Sequence, residues 1–301
     1  VNFSVVNRKS LESIAFAGGF DSIIDFNRSR FFAVDANNNN AQFLDMLVRY
    51  GQRVQSDKNN AQQSLFGMFS DSGSDVPQPR VPAAEDWSNI AVLNKEKEVI
   101  GLYLSGHPLD RFDFILSKMC QVELGDLDEL TLLNGKELSV AGIITSVTPL
   151  TTKDGRRYAR FVLEDYNTHH EFTLWSKEFE QFGIFIEMDN FLFIRGRVQP
   201  RFGREGELVY KIQSIQHLAE VAENVSKIRI ELEINEVCST LTQMLVQHIE
   251  ANPGKTVLEF TIYDHQNDVK IKLNSKKYRV ATSSDFMNFL IKNEFNYFIN
   301  I

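Results

Sequence analysis

Arginines and aromatic side chains recur together in the middle of this chain, and jointly they suit a polyanion that carries flat bases. Residues 151–163 hold Lys153, Arg156, Arg157 and Arg160 against one acid, with Tyr158 among them, and residues 190–204 hold Arg195, Arg197, Arg201 and Arg204 against none. Trp175 lies between the two runs. A base stacked on an aromatic ring, its phosphate held by a neighbouring guanidinium, is how single strands are bound without sequence preference. These residues are therefore the candidate nucleic-acid contacts. In the alternative reading the arginines only keep a sheet edge soluble while Phe161, Leu163 and Phe172 fill a core.

A second recognition element is linear. Gln62-Gln63-Ser64-Leu65-Phe66, with Phe69 close behind, sits in a stretch from 52 to 85 that is rich in Asn, Gln, Ser, Asp and Pro. Such a composition cannot bury enough apolar surface to offset its ordering entropy. Leu65 and Phe66 read as anchors for another protein's pocket, with Gln62 and Ser64 fixing register. Folding back onto a neighbouring helix is the other reading.

Catalytic and metal chemistry find no comparable pattern. His107 stands in a Gly-His-Pro turn without a second ligand, and His169-His170 lack further donors. Asp110, Asp113, Asp126, Asp128 and Glu129 are scattered over a polar connector, which suits a solvated face better than paired carboxylates for two metals. Cys120 and Cys238 are isolated, as expected in a reducing cytoplasm. No apolar run is long enough to span a bilayer, so no membrane partner is expected. The net charge of −8 argues against nucleic-acid binding over the whole surface and leaves local patches as the place to look. The missing initiator Met suggests a fragment of a longer protein.

The elements that must position these groups follow from periodicity. Residues 7–17 predict a helix with Leu11, Ile14 and Ala15 on one stripe, and a second helix is expected from about Phe31. A third, carrying Phe43, Leu44, Leu47 and Val48, is expected to end at Gly51. A helix from near Ser88 runs into Gly101-Leu102-Tyr103-Leu104-Ser105-Gly106-His107-Pro108-Leu109 and must break there, because Pro108 disfavours helical geometry at His107. From Gly135 the period becomes two, with strands at 138–149, 156–164, 170–175, 190–198 and 207–217 and a short helix at 176–182. Turns fall at 153–155 and 202–204. Five strands with a helix between the third and fourth is the order of an OB-fold barrel. The remainder predicts a small α/β unit: strands at 227–233, 257–263, 269–273 and 278–280, helices at 237–250 and 284–292, and a closing strand at 297–301. The expected class is multidomain α+β: a helical region at 1–51, a flexible linker at 52–85, a helical connector at 86–134, the barrel at 135–220 and the α/β domain at 226–301.

Glu96-Lys97-Glu98 followed by Ile100-Gly101-Leu102-Tyr103-Leu104-Ser105-Gly106-His107-Pro108-Leu109 resembles a segment of the alpha subunits of bacterial DNA polymerase III, a family of replicative polymerases. Residues 7–14 with 17–21 resemble the end of that family's helix-hairpin-helix region, and 140–175 its OB-fold, through Gly142, Lys153, Gly155, Phe161, Leu163 and Asp165. The resemblance implies that Gln62, Ser64, Leu65 and Phe66 bind the sliding clamp, the beta subunit. It implies that the barrel binds single-stranded DNA and that the last unit meets the clamp-loader tau subunit in some members. The palm domain with its catalytic aspartates and the phosphoesterase domain are not in this chain, so no catalytic residue, metal or other cofactor is expected here. Mg2+ belongs to the family's polymerase domain. A rival reading is the anticodon-binding barrel of an aminoacyl-tRNA synthetase, which predicts a catalytic domain after the barrel where only some 75 residues follow Ser226. Another is a scaffold that binds only proteins.

Overall fold

The structure is a computed structural model that describes residues 6–35, 40–63, 77–203 and 206–300. The chain divides into two compact units, Val1–Pro108 and Leu109–Ile301. The expected 86–134 connector is therefore split between them.

In the first unit, α1 (Arg8–Phe16) starts where Asn7 Oδ1 accepts from Ser10 N at 2.9 Å, satisfying an otherwise orphaned amide. Leu11 and Ala15 are buried, whereas Ile14, expected on the same stripe, is exposed. In place of a helix from Phe31 there is a 3-10 turn, Arg28–Phe32, capped by Asn27 Oδ1, which accepts from Ser29 N at 3.0 Å. The tighter turn delivers Phe31 into a core with Leu11, Ala15, Phe43 and Leu44. The two-residue strands β1 (Val34–Asp35) and β2 (Ala41–Gln42) pair ahead of α2 (Phe43–Gln63). That helix does not stop at Gly51. One glycine costs a helix only about 1 kcal/mol, and the Gln, Arg, Lys and Ala beyond it include no proline. α3 (Asn89–Ile100) begins at the Ser88 cap and ends sooner than the Gly-His-Pro signal suggests. Gly101 takes a left-handed φ of 91° and its N–H donates to Lys97 O at 2.8 Å.

The centre of this unit is ionic. Glu96 has no exposed surface. Its carboxylate accepts from Leu104 N and Ser105 N, both at 2.9 Å, from Ser105 Oγ, and from Arg28 Nη1 at 2.8 Å. Arg28, itself buried, also holds Asp21 and donates to Phe16 O at 3.1 Å. Burial alone would raise the Glu96 pKa. The bonds from Ser105, Arg28 and Leu104 outweigh it and hold the group at about 2.

The second unit opens with α4 (Asp113–Met119) and two 3-10 turns, Leu124–Asp128 and Leu130–Leu133. Five strands come next: β3 (Glu137–Thr151), β4 (Arg157–Glu164), β5 (His169–Leu174), β6 (Phe191–Pro200) and β7 (Leu208–His217), with α5 (Ser176–Phe182) between β5 and β6. They pair antiparallel in the order β5-β4-β3-β6-β7. Alternation explains the core, since Ala159, Phe161 and Leu163 are buried while Arg160 between them is exposed. Buried Asp165 ties the β4–β5 turn to the preceding segment by accepting from Leu124 N at 2.8 Å and Thr168 N at 2.7 Å.

After α6 (Leu218–Glu223) comes β8 (Lys227–Glu233). α7 (Ser239–Ala251) crosses to β9 (Pro253–Asp264), which runs parallel to β8. β10 (Val269–Val280), α8 (Ser284–Lys292) and β11 (Asn296–Asn300) complete a sheet of order β10-β9-β8-β11. The strands expected at 269–273 and 278–280 are one strand, whose ladder to β9 breaks between Asn274 and Arg279. Leu245 and Ile249 of α7, Phe286 and Leu290 of α8, and Ile228, Ile230 and Leu258 of the strands are buried.

Candidate nucleic-acid interface

Two hairpin tips rise at one end of the barrel. In the first, Thr152 N donates to Arg156 O and Gly155 N to Thr152 O, each at 2.9 Å. In the second, Arg201 N donates to Glu207 O at 2.8 Å. Gly155 and Gly203 each take a φ of 79°, which a side chain would strain, so these turns depend on glycine. Arg156 lies in its turn and not on the strand, which starts at Arg157.

Between the tips runs a groove of about 910 Å³ lined by Arg156, Trp175, Lys177, Arg201, Phe202 and Lys211, with Phe172 and Tyr210 also contributing. Trp175 is 50 % exposed and stacks on Tyr158, with ring centroids 4.8 Å apart and planes 14° from parallel. Phe202, at the second tip, is fully exposed. Phe172 stacks on Phe161 and belongs to the core. Tyr210 donates its hydroxyl to Leu138 O at 2.9 Å, anchoring β7 across the barrel. β5 and β7 are the two ends of the strand order. There α5 carries Glu178, which pairs with Lys211 of β7.

Charge in the groove is nearly balanced. Arg156, Lys177, Arg201 and Lys211 face Asp154, Glu171 and Glu178. Arg201 pairs with Glu207 at 3.2 Å, an acid just beyond the run 190–204 that appeared purely basic. Arg160 pairs with Glu171 at 3.6 Å. Exposed pairs of this kind contribute little to stability, so both arginines can exchange a carboxylate for a phosphate at small cost. The exposed aromatic faces set the groove apart more than its net charge does.

The other candidates divide. Lys153 and Arg157 are exposed, at and beside the first tip. Arg195 packs its guanidinium over Phe193, 5.3 Å from the ring centre, and lines a separate depression with Gln121, Glu137 and Gln213. Arg197 donates to Gly135 O at 3.3 Å. The groove thus gathers Arg156, Trp175 and Arg201, with Tyr158 behind Trp175, and leaves Arg195 and Arg197 on β6. Arg204, Ser64, Leu65 and Phe66 lie outside the described residues. Gln62 falls in the last turn of α2. Phe202, Lys177 and Lys211 also line the groove, and the sequence reading did not single them out. For Phe202 the signal in the sequence was a bulky apolar residue directly before a turn glycine.

Among the described residues no group of three or more His, Cys, Asp or Glu side chains could hold a metal ion. Burial pushes the Cys120 thiol up to about 12, reinforced by Asp165, so it is not a nucleophile at neutral pH. No helix among the described residues is long and apolar enough to cross a membrane.

Residues 138–218 match the family profile described as an OB-fold nucleic acid binding domain. Residues 228–300 match the C-terminal domain of DNA polymerase III alpha subunits. The alpha subunit of Borreliella burgdorferi is 28% identical over 285 residues, 91% of this chain and 23% of that protein. That of Campylobacter jejuni is 30% identical over 185 residues, 62% of this chain and 14% of its own length. The Escherichia coli K12 subunit is 23% identical over 287 residues, covering 94% and 23%. The chain thus spans less than a quarter of the curated relatives it matches. Among solved structures, the mitochondrial single-stranded DNA binding protein Rim1 of S. cerevisiae aligns with 28% of this chain and 97% of its own, at 15% identity and a TM-score of 0.22.

Proposed function

We infer, from the premise that this chain is a C-terminal region of a DNA polymerase III alpha subunit, that its barrel holds single-stranded template in the groove between the two hairpin tips. The observation that carries this reading is the groove itself, where two exposed aromatic faces, Trp175 and Phe202, stand beside Arg156 and Arg201. Stacking is indifferent to base identity and the guanidiniums follow the backbone, which suits a template read elsewhere. A match of residues 228–300 to the polymerase family, where an aminoacyl-tRNA synthetase would place catalytic machinery, favours this reading over the anticodon barrel.

The rest of the proposal concerns tethering. Gln62, Ser64, Leu65 and Phe66 form a linear motif for the sliding clamp, and the α/β domain is the place for a clamp-loader tau contact. Residues 1–51 are read as the end of a helix-hairpin-helix region. Acting in the cytoplasm at the replication fork, weak contacts to a ring and to a strand raise each other's effective concentration. Avidity gains of about 10² to 10⁴ are typical of such linkage. Processivity then arises from linkage and not from a single tight grip.

Fluorescence polarisation of a labelled oligo-dT tests the strand reading. The groove should contribute about −3 to the log–log salt slope of the affinity, about −0.7 for each of some four phosphates met by Arg156, Lys177, Arg201 and Lys211. Flat polarisation at low salt would refute it. For the motif, Leu65→Ala with Phe66→Ala is expected to abolish binding to the cognate clamp while leaving the melting temperature unchanged. A lowered melting temperature would mean that these side chains pack within their own chain.

A further inference from the structure

We propose that the β9–β10 ribbon of the C-terminal α/β domain is a second binding surface for single-stranded nucleic acid, separate from the barrel groove. Between Val269 and Val280 the sequence places Lys270, Lys272, Lys276, Lys277 and Arg279 with no acid among them, in a chain whose net charge is −8. β10 is an edge strand and is exposed along most of its length. None of the five cations enters an ion pair among the described residues, whereas Arg160, Arg201 and Lys211 of the barrel all do. Glu259, an acid on the neighbouring strand β9 that feels the charge of Lys272, is already engaged by Lys227 at 3.0 Å.

Lysines on an edge strand also deter unwanted strand pairing, and an alternating pair such as Lys270 and Lys272 would suffice for that. Here the charge continues past the alternating part. The ladder to β9 opens between Asn274 and Arg279, and Lys276 and Lys277 project from the opening. Aromatic rings accompany the cations: Lys270 Nζ lies 4.7 Å from the centre of the Tyr263 ring and Lys277 Nζ 4.5 Å from that of Tyr278. Side chains two residues apart on a strand are about 6.7 Å apart, twice the rise per residue, comparable to successive phosphates of an extended strand. Unpaired cations at that interval beside phenol rings offer a polyanion carrying bases both kinds of contact.

The test uses the whole chain and labelled oligo-dT. Replacing Lys270, Lys272, Lys276 and Lys277 by Gln should make the salt slope shallower by about 3, at roughly 0.7 for each of four phosphates. The same four changed to Arg should restore it, which guards against a folding defect in the Gln set. In a Trp175→Ala background the residual binding should depend on the ribbon. An unchanged slope in both backgrounds overturns the proposal, as does displacement of oligo-dT from the Trp175→Ala protein by a poly-glutamate peptide as effective as unlabelled oligo-dT. Loss of binding through the ribbon alone, with Trp175→Ala silent, would refute the groove reading and leave this one standing.

Discussion

Trp175→Ala and Phe202→Ala each weaken oligo-dT binding by about 5- to 150-fold, the 1–3 kcal/mol that one stacked base contributes. Arg156→Ala and Arg201→Ala have smaller effects at physiological salt, because the groove's cations already share it with Asp154, Glu171 and Glu178. Phe202 discriminates best: fully exposed, it is buried against none of the described residues, so its removal leaves the melting temperature unchanged. Trp175 contributes its backbone to the start of α5 and its ring to Tyr158, so Trp175→Phe keeps most of the stacking and should recover most of the affinity. The measurement is polarisation with melting curves in parallel. An unaltered affinity for Phe202→Ala would mean that bases do not reach the second tip.

Glu96→Ala unfolds the first unit at a far lower denaturant concentration than the unsubstituted chain requires. Removing one partner of a buried ion pair leaves the other charge uncompensated, at about 3–5 kcal/mol. Arg28 would be stranded with only the more exposed Asp21. A double replacement by apolar residues, Arg28→Met with Glu96→Leu, should recover part of the loss, since two buried charges then need no solvation. The folded pKa of about 2 lies below the unfolded value, so the unfolded state binds more protons between them. This contribution is complete above about pH 4.5 and is lost as the pH falls toward 2. The chain's two tryptophans make the effect local, because Trp87 stacks on Phe32 in the first unit and Trp175 lies in the barrel. Trp87 fluorescence in a Trp175→Phe background should report an acid transition that Glu96→Ala removes. Identical acid transitions in both proteins would count against the network.

Local pattern was enough wherever a face repeats. The period-two run from Gly135 placed all five barrel strands to within a few residues, and the turn glycines 155 and 203 marked the tips. Pattern failed where one tertiary contact decides. Glu96, among Lys95, Lys97 and Glu98, has the composition of a solvated helix face, yet Arg28, 68 residues earlier, draws it inside. A helix was expected from about Phe31, but the core takes Phe31 from a tighter 3-10 turn. The site was half legible for the same reason. Arg195 and Arg197 share a strand with apolar core residues, and nothing local shows that Arg195 lines a separate depression, or that Glu207 would neutralise Arg201.

The continuation of α2 from Gly51 to Gln63 alters how the proposed clamp motif is carried. Twelve further residues at 1.5 Å each make a strut of about 18 Å where slack chain was expected. A strut aims its cargo within a narrow cone, while slack chain spreads it through a sphere. The local concentration offered to a ring then depends on the strut's bearing as much as on tether length. A glycine pair inserted into the strut would therefore lower clamp occupancy without touching a single residue of the motif.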